Sequence, residues 1–334
     1  MLRPFLIIAF LLLAIPAYAQ TEAAPSDALD NLFAQPAQED VSDEAAESRG
    51  PVRDLIRERF QKRMAKLNGG ELKKFDIVGL SVAYWMPPVV PGEGVLAKPL
   101  VIFSHGFHGC AGQSIFLMKA LAAAGYIVVA PEHADSSCWT GSDGIAKPAE
   151  RFADYAAWTD KTYADRATDI KNLYAALKAD ETWNKRIDWN KVALAGHSLG
   201  GYTALGLAGA WKVWKMEGIK AVLALSPYVG PFIDHGDLGT LTVPVMYQGG
   251  TRDFGITPSV RKKGGAFEQT AAPAWFVEFI NAGHFSWTDR EETTHAPEVK
   301  ERIVKYSLWF LDHALKGASE PFPQDKGLAS SGTK

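Results

Sequence analysis

An apolar run that stops at a glycine and a serine constrains this chain more than any other feature. Residues 191–195, KVALA, read as a short buried strand, and residues 200–210, GGYTALGLAGA, as a close-packing helix of small side chains. Ser198 falls at the corner between them, in the stretch LAGHSLGGYTA. Gly196 and Gly200 stand two residues to either side, where a side chain would crowd a sharp strand-to-helix turn. Such a turn lifts a hydroxyl above the end of a sheet, so a nucleophile elbow is expected at Ser198. Five-residue patterns of this kind recur by chance, and the flanking strand and helix signals give this one its meaning.

Strand and helix patterns alternate on both sides of that corner. LVIFSHG, YIVVAPEH, AVLALSPYVG, VPVMYQGG and AWFVEFINAGH read as strands. SIFLMKALAAAG, RATDIKNLYAALKAD and EVKERIVKYSLWFLDHALKG read as helices. Alternation of this sort predicts the α/β class, with a mostly parallel central sheet flanked by helices on both faces. Right-handed crossovers then bring the carboxyl ends of the parallel strands to one rim.

The 334 residues, 47% of them hydrophobic, suffice for one large core. Residues 1–19 have the layout of a cleaved secretory signal: Arg3, an apolar run too short to span a bilayer comfortably, and AYA before Gln20. Cleavage near Ala19, a secreted or periplasmic location and no stable membrane span are therefore expected. Residues 20–50 hold eight acidic side chains against one base, Arg49, and read as a disordered acidic linker. A catalytic domain is expected over 51–316, opening with a helix at 51–67 whose face opposite the apolar stripe is basic, and a disordered tail over 317–334. The formal charge of −3 is carried by the acidic linker, so the body is near neutral and is not a nucleic-acid binder on charge grounds. Cys110 and Cys138, alone in an exported chain, are expected to form a disulfide. No C-x-x-C or H-E-x-x-H pattern occurs, and neither a metal nor a cofactor is expected.

A lone serine is a poor nucleophile and needs a base within reach, itself oriented by a third group. His284, in INAGHFSW, follows a strand and a glycine and is the expected base. Asp253, in QGGTRDFGITP, follows the preceding strand and is the expected acid; Asp234 and Asp237 are alternatives for the same imidazole. His197 is expected to point away from the rim, and His133 to pack under it. Leu199, next after the nucleophile, and Phe107, in HGFHG, are expected to offer their backbone N–H groups as an oxyanion hole. Trp139, Tyr228, Phe254 and Trp287 fall in loops near strand ends and are expected to line an apolar acyl or aromatic cleft, with residues 136–162 as its variable wall. Trp158 reads equally well as core.

Taken together, SHGFHG, VVAPEHADSS, GHSLGG, GTRDFGIT and NAGHFSW resemble the α/β-hydrolase superfamily over about residues 72–316. Within it the chain is similar to secreted esterases of the platelet-activating-factor-acetylhydrolase-like and dienelactone-hydrolase-like kinds, and to polyester hydrolases and cutinase-like lipases. The resemblance implies a triad of Ser198, Asp253 and His284. Dienelactone hydrolases proper use cysteine where this chain has serine, and the acetylhydrolases carry arginine where it has Ala134. The implied function is cleavage of small or polymeric carboxylic esters (the EC 3.1.1 class) through an acyl-enzyme on Ser198. An amidase or peptidase with the same triad is the alternative within enzymes, and a non-catalytic binding protein the alternative outside them.

Overall fold

Two-sided burial organises the molecule. The computed structural model describes residues 72–89, 92, 96–138, 152, 154–271, 273–290 and 295–334. The expected signal, the acidic linker, the basic lead-in helix and Trp139 lie outside them. In chain order the strands are β1 (Lys74–Ile77), β2 (Leu80–Trp85), β3 (Lys98–Ser104), β4 (Ile127–Pro131), β5 (Ile187–His197), β6 (Ile219–Leu225), β7 (Val245–Gly250), β8 (Ala274–Phe279) and β9 (Leu328–Thr333). They form one sheet in the order β1-β2-β4-β3-β5-β6-β7-β8-β9. The six strands from β4 to β8 pair parallel, and the two strands at the β1 edge and the one at the β9 edge are antiparallel.

Alternate residues of the parallel strands feed two separate cores. Leu100, Ile102, Val129, Leu194, Val222 and Tyr247 enter one. Val101, Phe103, Val128, Ala195, Leu223 and Met246 enter the other. Because both faces are covered, these strands are apolar without alternation, which is why they read as continuous hydrophobic runs. Among the helices, α1 (Ile115–Ala123), α2 (Ala164–Ala179), α3 (Leu199–Leu205) and α4 (Ala296–Leu311) matter most for the site. Helix α4 buries Val299, Ile303, Tyr306 and Phe310, a stripe at helical spacing. The expected α/β architecture, a mostly parallel sheet between helical layers, is the architecture observed.

The tail departs from expectation. Leu328–Thr333 is not disordered but pairs antiparallel with β8, and Lys334 and Ala274 exchange backbone hydrogen bonds of 2.9 and 3.0 Å. Upstream, Phe322 packs edge-on against Trp309, and Tyr306 donates to the Pro323 carbonyl. The small polar composition of LASSGT hid this strand, because its contribution is a backbone ladder that caps the open edge of β8 rather than apolar burial. Deleting residues 327–334 should lower the melting temperature by a few degrees and promote self-association through the bared edge. A truncated protein that melts as before and stays monodisperse in size-exclusion chromatography would show that β9 is dispensable.

Candidate active site

Close backbone approach shapes the corner after β5. Ser198 has φ 54 and ψ −117, a conformation rare for a residue with a side chain. A Cβ on Gly196 would lie 2.2 Å from the Gly200 carbonyl oxygen, one on Gly200 1.9 Å from the Ser104 carbonyl oxygen, and one on Gly201 2.5 Å from Pro227. Glycine is therefore required at all three positions. The Ser198 backbone is pinned on both sides, its N–H donating to Leu225 and its carbonyl accepting from Tyr202 and Tyr228. Strain of this kind costs roughly 1–3 kcal/mol and persists only where surroundings enforce it.

The hydroxyl that this turn presents meets an imidazole. Ser198 Oγ lies 3.0 Å from His284 Nε2. His284 opens a short helical turn, His284–Trp287, just past β8, and its Nδ1 lies 3.2 Å from Asp253 Oδ1. Of the three candidate acids, the structure brings Asp253 to this ring; Asp234 is exposed, and Asp237 faces Lys212. Asp253 is itself buried, and its Oδ2 accepts from Thr257 Oγ1 at 2.8 Å and Ser226 Oγ at 2.7 Å. Burial alone would push this carboxyl up. The facing His284 ring, with hydrogen bonds from His284, Ser226 and Thr257, outweighs burial and holds it below the ordinary carboxylate range.

Ser226 was not among the expected residues. It directly follows β6 with φ 41, and its Oγ also lies 2.8 Å from His284 Nδ1. The signal that could have found it is the one that found Asp253, a polar residue at the carboxyl end of an apolar strand. His197 differs from expectation as well: it lies beside the site, its Nε2 donating to the His284 carbonyl at 2.8 Å and its ring centroid 4.8 Å from that of His284. Burial, with the neighbouring His284, pushes its ring down to about 3, so it is neutral and buttresses the His284 turn.

Beside the serine runs the loop 105–110. A Cβ on Gly106 would lie 3.5 Å from the Ser198 Cβ, which measures how near this backbone comes. The N–H groups of Phe107 and Leu199, the expected oxyanion donors, donate to no protein acceptor among the described hydrogen bonds. Their neighbours, by contrast, are firmly held. Arg166, on α2 and fully buried, donates to the carbonyls of His105 (2.7 Å) and Gly106 (3.2 Å). The same guanidinium binds both oxygens of Asp135 at 2.8 Å, and Asp135 accepts from the His108 N–H. Burial would raise the Asp135 carboxyl, but Arg166 pulls it down and keeps it ionised. Gln113 Oε1 accepts from the Gly106 N–H. Cys110 and Cys138 are joined by a disulfide with a Cα–Cα distance of 4.8 Å, and the Gly109 carbonyl accepts from Ser137 and Cys138. His133, as expected, is buried below the rim, between Ser104 and Asp169.

The expected cleft residues separate. Trp287 is wholly buried, its Nε1 donating to Gln248 Oε1 and its ring stacked near His197, so it belongs to the core rather than to a cleft. The tight turn after His284 folds it back beneath the sheet end. Tyr228 is also buried: its hydroxyl donates to the Phe152 carbonyl and its ring meets Phe152 and Trp158. Phe107 joins the same aromatic layer through Phe152, and Trp158 lies within it as core. Phe254, beside Asp253, is 74% exposed. A cavity of about 640 Å³ lies away from this chemistry, along Trp158, Trp211, His235 and Asp237. Among the described residues, no cluster of His, Cys, Asp or Glu is arranged to hold a metal ion, and no helix is long and apolar enough to cross a membrane.

The buried Arg166–Asp135 pair carries a stability consequence. Removing one partner strands the other charge, a loss of about 3–5 kcal/mol in such pairs. Arg166→Met should show a deficit of that size in urea denaturation; a deficit below about 1 kcal/mol would mean that the pair is not a brace.

Comparison with known proteins agrees with this architecture. A family model described as Chlorophyllase matches residues 88–236, a span that includes the 105–110 loop and Ser198 and ends before Asp253 and His284. No protein with a curated description matches the chain. Among solved structures, a ferulic acid esterase from Streptomyces cinnamoneus superposes with a TM-score of 0.57 at 18% identity, covering 76% of this chain and 88% of that one. Sheet order, elbow and structural likeness together establish that this chain has the α/β-hydrolase fold.

Proposed function

We propose that the chain is an exported serine hydrolase that cleaves carboxylic esters through an acyl-enzyme on Ser198. The observation that carries this reading is the 3.0 Å contact between Ser198 Oγ and His284 Nε2, with Asp253 on the far side of the same ring. As Ser198 Oγ bonds to the ester carbonyl carbon, its proton passes to His284 Nε2. The carbonyl oxygen, now negative, lies between the N–H groups of Phe107 and Leu199. Collapse of this intermediate expels the alcohol, which takes the proton from His284. A water, deprotonated by His284 in turn, then attacks the acyl-enzyme; the Ser198 Oγ–acyl bond breaks, His284 returns the proton to Oγ, and the acid leaves. Asp253 supports the imidazolium formed in both halves.

The choice of esters draws support from the ferulic acid esterase likeness and the Chlorophyllase family match. Export draws support from the disulfide, which suits an oxidising compartment. A fluorophosphonate probe should label the wild type and not Ser198→Ala, and p-nitrophenyl esters should turn over with a kcat that falls on the order of 10⁴-fold or more in that variant. Preferential cleavage of anilides would convert the reading to an amidase, and an unlabelled folded wild type would convert it to a binding protein. Expressed with its first 19 residues in a bacterial host, the protein should be recovered outside the cytoplasm with an intact mass that places its first residue near Gln20; full-length protein confined to the cytoplasm would remove the export reading.

A further inference from the structure

Ser226 sits between the two groups that the proposed mechanism couples. Its Oγ is 2.7 Å from Asp253 Oδ2 and 2.8 Å from His284 Nδ1, whereas the direct contact of Nδ1 with Asp253 Oδ1 is longer, at 3.2 Å. All three side chains are buried. An ionised carboxylate only accepts hydrogen bonds, and a serine hydroxyl has one proton to give. That proton is therefore committed to Asp253, and what Ser226 turns toward His284 is a lone pair. Nδ1 must then carry the hydrogen, which leaves the lone pair of Nε2 facing Ser198 Oγ. Thr257 strengthens the arrangement: its Oγ1 accepts from the Gly250 N–H at 2.9 Å, which directs its own proton to the same Asp253 oxygen.

We propose, on the serine-hydrolase reading above, that Ser226 is a positioning residue that fixes the tautomer and tilt of His284 by relaying the Asp253 carboxylate to Nδ1. No proton leaves Nδ1 during the reaction. The single transfer is from Ser198 Oγ to Nε2 as the Oγ electron pair bonds to carbon, and the cation so formed meets both the carboxylate and a hydroxyl polarised by it. The backbone supports the assignment: φ 41 at a non-glycine residue, with the Ser226 N–H tied to the Gln248 carbonyl at 2.7 Å, aims this side chain at the ring.

Ser226→Gly is the informative variant, because glycine accepts a positive φ and the fold is retained while the hydroxyl is lost. On a p-nitrophenyl ester, kcat should fall about 10- to 100-fold with KM little changed, and fluorophosphonate labelling should slow in parallel. Nitrogen-15 NMR of the His284 ring should show the Nδ1-protonated tautomer losing its dominance. In an Asp253→Asn background the same change should have little further effect, since the carboxylate that Ser226 relays is already gone. Wild-type kcat and tautomer in Ser226→Gly, or costs that simply multiply in the double variant, would overturn the relay. A wild type that does not label overturns the hydrolase reading and the relay with it; a labelled wild type with an equally fast Ser226→Gly overturns the relay alone.

Discussion

Everything at the rim depends on the contact between the backbone of Gly200 and the carbonyl of Ser104. There a helix start presses so closely on the neighbouring strand end that not even a methyl group fits. That approach forces Ser198 into its positive φ and sets the loop after β3 beside the hydroxyl. A turn relaxed by a single side chain would move the serine and the Phe107 N–H apart together. The two-sided apolar core supplies the rigidity that such a contact requires, because strands packed on both faces cannot shift without opening cavities.

Polar groups buried near the rim divide into two sets with different work. Arg166, Asp135, Gln113 and the disulfide grip the carbonyls and flanking amides of the 105–110 loop, leaving its Phe107 N–H outside the network. Asp253, Ser226, Thr257 and His197 grip the His284 ring and turn, leaving its Nε2 toward Ser198. In both sets a buried charge is saturated by hydrogen bonds, so its desolvation cost is met locally and its direction is fixed. Ser198 Oγ lies against both sets, 3.0 Å from His284 Nε2 and beside the Gly106 backbone.

How much of this was legible in the chain depended on range. The elbow could be read because its requirement is local: glycine at 196 and 200 follows from the turn itself. Asp253 and His284 could be read because each lies in the loop that follows an apolar strand, and parallel strands share a rim. Arg166 could not, since nothing in RATDIKNLYAALKAD distinguishes an arginine that will be buried beneath a distant loop from one on a solvated helix face. Ser226 escaped for a related reason: a serine before proline reads as a turn former, and its value lies in two partners 27 and 58 residues away. Trp287 was misplaced because its loop position suggested exposure while the turn after His284 folds inward. The β9 strand was missed because backbone pairing at an edge leaves little trace in side-chain composition.

Strain maps the site independently of any side-chain chemistry. Among the described residues, the non-glycine positions with positive φ are Val78, His108, Cys138, Tyr163, Ser198, Ser226 and Asn281. Val78 belongs to the hairpin between β1 and β2; every other one lies in a segment leaving the carboxyl end of β3, β4, β5, β6 or β8. A fold free to place such conformations anywhere would scatter them, since each costs free energy wherever it occurs. Their concentration at one end of the sheet, among the described residues, means that the rigid core is holding unfavourable backbone around Ser198 and Ser226. The strain at Ser198 and at Ser226 then has one explanation: both hydroxyls are aimed at opposite nitrogens of the same ring.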